Sequence, residues 1–245
     1  MKRAAAGVSA AVLIPALDEA ETVASVVAIA REAAIGPVVV IDDGSTDATA
    51  EVAAKAGAEV LRLPENRGKG GAVAAGARNR RERVLLLIDA DLTGLRPRHL
   101  RALARPVLEG RADMTRGVFV GGRWRTAMAQ RLVPVLNGQR ALLREGLLEV
   151  EDLDDSRYGV EVAITEHARH AGWRTLDVPL RGVSQVMKEE KRGAWRGAGV
   201  RLRMYAEILY QWVRGMAAGV LNRLRGRRPT AAPRTAAPQR KAPRR

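Results

Sequence analysis

Five consecutive apolar residues that run directly into two acids constrain this chain more than any other stretch: Val84-Leu-Leu-Leu-Ile88 is followed at once by Asp89-Ala90-Asp91. Such a run reads as a strand buried on both faces, as in a parallel sheet, whose carboxyl end opens into a crevice. In extended backbone residues i and i+2 face the same side, so Asp89 and Asp91 can address one ligand. Oxygen ligands of this kind suit Mg²⁺ or Mn²⁺. Taken alone, the pair is more simply a polar strand end, with Asp91 bonding to the backbone of Leu92-Thr93-Gly94.

The surrounding chain supplies the context. Ala11-Val-Leu-Ile-Pro15 reads as a short buried strand, with Ala16-Leu-Asp-Glu19 the turn after it. Residues 21–34 carry Val23, Val26, Val27 and Ala30 at helical spacing and close at Gly36-Pro37. Val38-Val-Val-Ile-Asp42 is a second strand. In the turn 42–47, Gly44 can take a positive φ, and Ser45 or Thr46 can cap a helix over 48–56. Residues 59–63 make a third strand. Glu65-Asn-Arg-Gly-Lys-Gly-Gly71 reads as a glycine-rich loop opening a small-residue helix over 72–77, and 84–89 is the fourth strand. This rhythm implies right-handed βαβ crossovers and a mainly parallel sheet flanked by helices, an α/β fold that binds ligands at the strands' carboxyl ends.

The second half is less regular. Helices are expected over 98–108, 124–136, 144–148 and 160–171, and strands over 113–116 and 175–179, the latter at a sheet edge. A turn at 137–140 precedes Ala141-Leu-Leu143, and 181–192 reads as a loop. A long amphipathic helix over 196–224 places Met204, Tyr205, Ile208, Leu209, Trp212, Val213 and Met216 on one face. That face packs over the sheet or against a second subunit, as in a homodimer. The alternative is an interfacial helix held at a membrane surface by Trp212, Tyr205, Tyr210 and the arginines that follow.

Charge separates body from tail. Of the net charge of +15, nine basic and no acidic residues lie between Arg223 and Arg245, so only +6 belongs to residues 1–222. Residues 1–222 therefore read as one folded domain, and 223–245 as a disordered Arg/Pro/Ala-rich tail. With no Cys in 245 residues, disulfides, thiolate zinc sites and a cysteine nucleophile are excluded. Met1-Lys-Arg and the apolar residues after it superficially resemble a signal peptide, with Val8-Ser-Ala10 as the cleavage site, but make better sense as a lead-in to the first strand. No run of eighteen uncharged apolar residues occurs elsewhere, so no membrane-spanning helix is expected. The expected location is cytoplasmic, with the interfacial helix offering attachment to the inner face of the cell membrane.

At the strand ends the chain is acidic where a metal or nucleobase would sit and cationic where phosphate would. Asp42 and Asp43 end the second strand, Asp89 and Asp91 the fourth, and Lys69 stands between glycines in the loop before the latter. Carboxylates beside a Lys suit a diphosphate held through a divalent cation. The glycine loop is no P-loop, and Gly68-x-Gly70-x-x-Val73 lacks the third glycine of a dinucleotide fingerprint. A plain helix-entry turn is as good a reading of Gly68–Gly71. His167 and His170 are three apart on a helix without a zinc-protease pattern and read as solvated surface residues.

Four motifs in order now carry a resemblance: Val12-Leu-Ile-Pro-Ala-Leu-Asp-Glu19, Val40-Ile-Asp-Asp-Gly-Ser-Thr-Asp47, Asn66-Arg-Gly-Lys-Gly-Gly-Ala72 and Leu87-Ile-Asp-Ala-Asp91. Together they resemble the family-two nucleotide-sugar glycosyltransferases, in the branch of dolichol-phosphate mannose or glucose synthases and glucosyl-phosphoglycerate synthases. The likeness continues more weakly through Gly138-Gln-Arg140, Tyr158-Gly-Val-Glu161 and Val186-Met-Lys-Glu-Glu-Lys-Arg-Gly193.

The resemblance implies a GT-A fold, Rossmann-like, binding a UDP- or GDP-sugar with Mg²⁺ or Mn²⁺. Pro15, Leu17 and Glu19 would line the nucleoside pocket, and Asp43, with Asp42 beside it, would receive the base's N–H. Gly44, Lys69, Gly70 and Ala90 would flank the nucleotide. Asp89 would reach the ribose or the metal, and Asp91 would bind the metal clamping the diphosphate. Where several relatives carry a His ligand, this chain offers Gln185, a neutral and weaker oxygen ligand. Glu161 is a general base toward an acceptor hydroxyl, or simply favours its helix N-terminus. An acceptor that is itself a phosphate, such as a polyprenyl phosphate, would need no base, and Arg140 could pair with that phosphate or with the diphosphate.

The acceptor is thus a polyprenyl phosphate or other cell-envelope acceptor, with a small soluble one such as phosphoglycerate as the alternative. A sugar nucleotidyltransferase fits less well, because such enzymes usually place a Gly-rich, Arg-containing loop directly after strand one. A nucleic-acid binder driven by the Arg tail is the non-enzyme alternative. One Phe and three Tyr argue against stacked single-strand recognition, and no specific nucleic acid is expected.

Overall fold

A computed structural model of the chain describes residues 9–120, 138–156 and 159–185. The helices expected over 124–136 and 196–224, the tail beyond 222, and Tyr158 and 186–193 of the weaker motifs lie outside the described residues. Among those described, no helix is long and apolar enough to cross a membrane.

The first half alternates strand and helix as its apolar periods dictate: β1 Ala10–Ala16, α1 Val23–Glu32, β2 Val38–Asp42, α2 Thr49–Lys55, β3 Glu59–Arg62, α3 Gly68–Asn79 and β4 Val84–Leu87. The second half adds β5 Leu92–Thr93, α4 Pro97–Leu108, β6 Met114–Val120, β7 Arg140–Leu143, α5 Arg144–Leu148, α6 Val160–His170, β8 Thr175–Arg181 and β9 Ser184–Gln185. Seven strands form one sheet in the order β3-β2-β1-β4-β7-β6-β8, and β5 pairs with β9 apart from it. Every neighbouring pair in the large sheet is parallel except those made by β7, which runs antiparallel to both β4 and β6.

Side-chain alternation in the strands builds two cores. Val12 and Ile14 of β1, Val40 of β2 and Leu86 of β4 face one side, where α1 and α4 cover them with Val23, Val27, Leu100 and Leu103. Leu13, Ile41, Leu85 and Leu87 face the other, against Ala72, Val73 and Ala77 of α3, Leu147 of α5 and Ile164 of α6. Each fully buried aliphatic side chain contributes about 1.5–3 kcal/mol, so a continuous run such as Val84–Ile88, buried throughout, anchors the sheet's centre.

Several local expectations need correction. The assigned strand β4 stops at Leu87; the Ile88 N–H still donates to the Leu13 carbonyl of β1 at 3.0 Å, and Asp89 leads out of the sheet. Residues 68–71, expected as loop, already form the first turn of α3. Glycine weakens a helix in isolation, but here small residues let it lie against the sheet: a Cβ on Gly76 would stand 2.9 Å from Ile41 Cδ1. The α2 cap is neither Ser45 nor Thr46, because Asp47 Oδ1 accepts the Thr49 N–H at 2.9 Å. Gly44 does take the positive φ foreseen for it, +76°. The strand expected over 113–116 extends to Val120, and 184–185, expected as loop, bridge to β5.

His167 is not a solvated surface residue. Its ring packs edge-on against Trp173, with centroids 5.3 Å apart and planes at 74°. Burial lowers its pKa despite the opposing pull of Glu149 and Glu151. Burial also lowers that of His99, assisted by the charges of Arg98 and Arg96. His99 Nδ1 and His167 Nε2 are buried without a hydrogen-bond partner among the described residues, as suits neutral rings. An unfolded His has a pKa of about 6.5, so below that pH the unfolded chain binds protons that the fold refuses. The melting temperature is therefore expected to fall as pH drops from about 7 to about 5. His167→Phe, which keeps the ring contact and removes the titration, should flatten that profile; an unchanged slope would locate the acid sensitivity elsewhere.

Candidate active site

Because β1, β2 and β4 are parallel, their carboxyl ends share one edge of the sheet. The reversed β7 delivers its amino end to the same edge, with Arg140 in register with Leu87. Asp42 and Asp43, Asp89 and the Gly138-Gln139-Arg140 segment are thereby gathered from three separate stretches of chain. From the side, α3 brings Lys69 and α6 brings Glu161. A small cavity at this edge is lined by Pro15, Lys69, Asp89, Gly138, Arg140 and Glu161 among others.

Lys69 is the centre of the arrangement. Its Nζ lies 2.6 Å from Asp89 Oδ1 and 2.5 Å from Glu161 Oε1. Burial disfavours the ammonium, but the charges and hydrogen bonds of the two carboxylates outweigh it and hold its pKa above the ordinary lysine value. Asp89 is held on its other oxygen as well: Gln139 Nε2 donates to Oδ2 at 2.8 Å and Gln185 Nε2 at 2.7 Å. Gln185 reaches it because β9 pairs with β5, setting Gln185 opposite Leu92. Asp91 is half-buried, one residue before β5.

Arg140 is wholly buried, with Nη1 donating to Thr165 Oγ1 at 2.8 Å. Burial pulls its pKa down to about 10, opposed by Glu161, so the guanidinium remains charged at neutral pH. It stands behind the Lys69 cluster as an internal cation rather than at a solvent-facing rim.

The other strand-end acids are fixed by backbone. Asp42 is fully buried: its Oδ1 accepts the Ser45 N–H at 2.9 Å, and its Oδ2 faces Arg62 Nε at 3.2 Å. Asp43 Oδ1 accepts the Arg67 N–H at 2.8 Å, tying the end of β2 to the start of α3. Burial raises the Asp43 pKa, against the lowering effect of the Arg67 and Gly68 N–H groups. Pro15 lines the cavity, and the buried Glu19 accepts from Thr22 Oγ1 at 3.0 Å. Leu17 is partly buried beyond β1, Gly44 lies in the turn after β2, Gly70 is buried in the first turn of α3, and Ala90 is buried between the paired acids.

Two residues were not foreseen as site residues. The sequence places Gln139 in a turn and in the weaker Gly138-Gln-Arg140 likeness without giving it a role, and its amide touches Asp89. Gly138 leaves the space in which Lys69 and Asp89 meet: a Cβ there would stand 2.6 Å from both Lys69 Nζ and Asp89 Oδ1. The available signal was a Gly-Gln pair immediately before a buried Arg-Ala-Leu-Leu strand, but nothing local says which strand end it will meet. Gly138→Ala is expected to separate the ion pair while preserving the fold. Acylation of the Lys69 amine, read against exposed Lys55 in the same chain, should speed up severalfold; an unchanged ratio with a normal melting curve would refute the assignment.

Comparison with known proteins agrees with this geometry. Residues 11–156 match the family described as Glycosyl transferase family 2. Glycosyltransferase AglJ of Haloferax volcanii is 31% identical over 187 residues, a match spanning 69% of this chain and 61% of that protein. A dolichyl-phosphate beta-glucosyltransferase of Drosophila melanogaster is 56% identical over 61 residues, or 22% of this chain and 19% of its own. Among solved structures, the fold matches glucosyl-3-phosphoglycerate synthase from Mycobacterium tuberculosis, crystallised with Mn²⁺, UDP and glucosyl-3-phosphoglycerate. The TM-score is 0.69 at 22% identity, covering 86% of this chain and 80% of that one. The strand-end acids, the cation set among them and the extent of the match lead to one conclusion: the chain belongs to glycosyl transferase family 2.

Proposed function

We propose that this chain transfers a sugar from a UDP- or GDP-type nucleoside-diphosphate sugar to a lipid-linked phosphate of the cell envelope, assisted by Mg²⁺ or Mn²⁺. The carrying observation is the state of Glu161, whose carboxylate is engaged with Lys69 at 2.5 Å. An acceptor hydroxyl needs a base to take its proton, whereas a phosphate acceptor is already ionised and attacks without one. The high identity of one stretch to a dolichyl-phosphate glucosyltransferase supports the same acceptor class.

The residues fit a divalent cation of the kind that retains water and substrate oxygens. Among the described residues no group of three or more His, Cys, Asp or Glu gathers as an all-protein cage. Asp89 and Asp91 with the Gln185 amide make a sparse oxygen set, the usual protein share at a Mg²⁺ site completed by phosphates. Asp91 would be the principal ligand, since Asp89 already accepts from Lys69, Gln139 and Gln185. Such a cation supplies neutralisation of the charge that grows on the diphosphate as the sugar's C1–O bond breaks.

The chain's own groups then divide the work. Pro15 and Leu17 would face the nucleoside and Asp43 would accept the base's N–H. Lys69, its ammonium already oriented, would add positive charge beside the departing diphosphate, and Glu161 would hold that ammonium in place. Arg140 would offset the two carboxylates from behind. The acceptor phosphate oxygen attacks C1, and the nucleoside diphosphate leaves with the bonding electrons.

In calorimetry with UDP and GDP, Mn²⁺ is expected to strengthen binding of the preferred nucleotide, and Asp91→Ala to cancel at least tenfold of that gain. Equal metal-assisted binding by parent and variant would remove Asp91 from the metal site. With a radiolabelled donor sugar, polyprenyl phosphate should yield product that partitions into organic solvent. Label found only in a phosphoglycerate adduct would replace the lipid acceptor with a soluble one.

A further inference from the structure

We propose that Gln139 is a positioning residue of the donor site: it sets the orientation of the Asp89 carboxylate and, through it, the place of the Lys69 ammonium. The inference rests on the donor reading above for its catalytic consequence, but not for its geometry.

Gln139 is fully buried and its main chain is pinned. Its carbonyl accepts the Gly117 N–H of β6 at 2.8 Å, and a Cβ on Gly117 would come within 3.1 Å of Gln139 Cβ. The side chain therefore leaves backbone that is tied to the sheet one residue before β7, and its Nε2 ends 2.8 Å from Asp89 Oδ2. An ionised carboxylate only accepts, so an amide N–H₂ is the matching neutral partner. The Oδ2 atom takes the Gln139 and Gln185 amides, and Oδ1 is turned to Lys69 Nζ at 2.6 Å.

The two amides are unequal. Gln185 is exposed on the two-residue strand β9, whereas Gln139 is fully buried one residue before β7, with its carbonyl bonded to β6. Gln139 is thus the fixed reference and Gln185 the supplement. Asp89 lies past the end of its own strand, which closes at Leu87, so its carboxylate needs a reference outside β4. A glutamate at 139 would oppose one anion with another, and an apolar side chain would leave Oδ2 with one donor fewer.

The test compares Gln139→Met, which keeps length and removes the donor, with Gln139→Glu, which keeps shape and replaces the donor by an acceptor. Three readings are taken on the full chain: acylation of Lys69 relative to Lys55 without nucleotide, donor KM and kcat with the preferred nucleotide sugar, and the melting curve. Lys69 labelling should rise severalfold in Gln139→Met and further in Gln139→Glu. Loss of one hydrogen bond to a charged group should raise donor KM about tenfold with kcat within about threefold, the pattern of lost uniform binding. In an Asp89→Asn background, Gln139→Met should add little, because the two act as one unit.

If both variants melt cooperatively and keep Lys69 labelling and donor KM within twofold of the parent, Gln139 is packing alone and the proposal fails. Should Gln139→Met not fold, Gln139→Glu carries the same decision. Raised labelling in a chain that uses no nucleotide sugar would uphold the positioning role and overturn the donor reading instead.

Discussion

One ammonium group placed between two carboxylates holds the functional rim together. Asp89 and Glu161 are far apart in the sequence, and without Lys69 their like charges would repel in a partly desolvated corner. Arg140, buried behind them, balances the second negative charge. Such clusters add little net stability, since desolvation offsets much of the Coulomb attraction, while removal of one member costs about 3–5 kcal/mol. The cluster is therefore poor evidence for a stability device and good evidence for a site whose charges are oriented before a ligand arrives.

Its geometry is a consequence of packing some distance away. Lys69 can reach Asp89 only because α3 lies close to the sheet, and that approach depends on the small residues Gly70, Gly71, Ala72, Ala74, Gly76 and Ala77, all buried. Asp43 then clasps the start of the same helix through the Arg67 N–H. The opposite wall depends on β7 running against its neighbours, which turns Gly138 and Gln139 toward the strand ends rather than away from them. A parallel strand in that place would have sent the same residues to the far edge.

What the sequence made legible follows from which forces are local. The alternation of strands and helices through β4 was readable from apolar period, because burial on two faces leaves no other pattern for runs such as Val38–Ile41 and Val84–Ile88. The acids at the strand ends were readable for the same reason. The helical state of Gly68–Gly71 was not, since intrinsic propensity argues against it and only contact with the sheet reverses the balance. The role of Gln139 was hidden for a different reason: a polar residue before a strand carries no mark of its partner when that partner, Asp89, is fifty residues away and meets it by an antiparallel crossover. His167 was misread because its i, i+3 relation to His170 says nothing about Trp173, which closes over it from beyond the helix end.

Gln185 shows how one neutral side chain sets the character of the rim. A His in that place would titrate near pH 6.5 and alter the local charge across the neutral range. The Gln amide is neutral at every pH, and its N–H₂ is already directed to Asp89 at 2.7 Å. The side chains about the cavity are then two carboxylates, an ammonium whose pKa is raised and a guanidinium that stays charged, with amides between them. Gln185 therefore adds a hydrogen-bond donor to Asp89 without adding a charge that pH could switch.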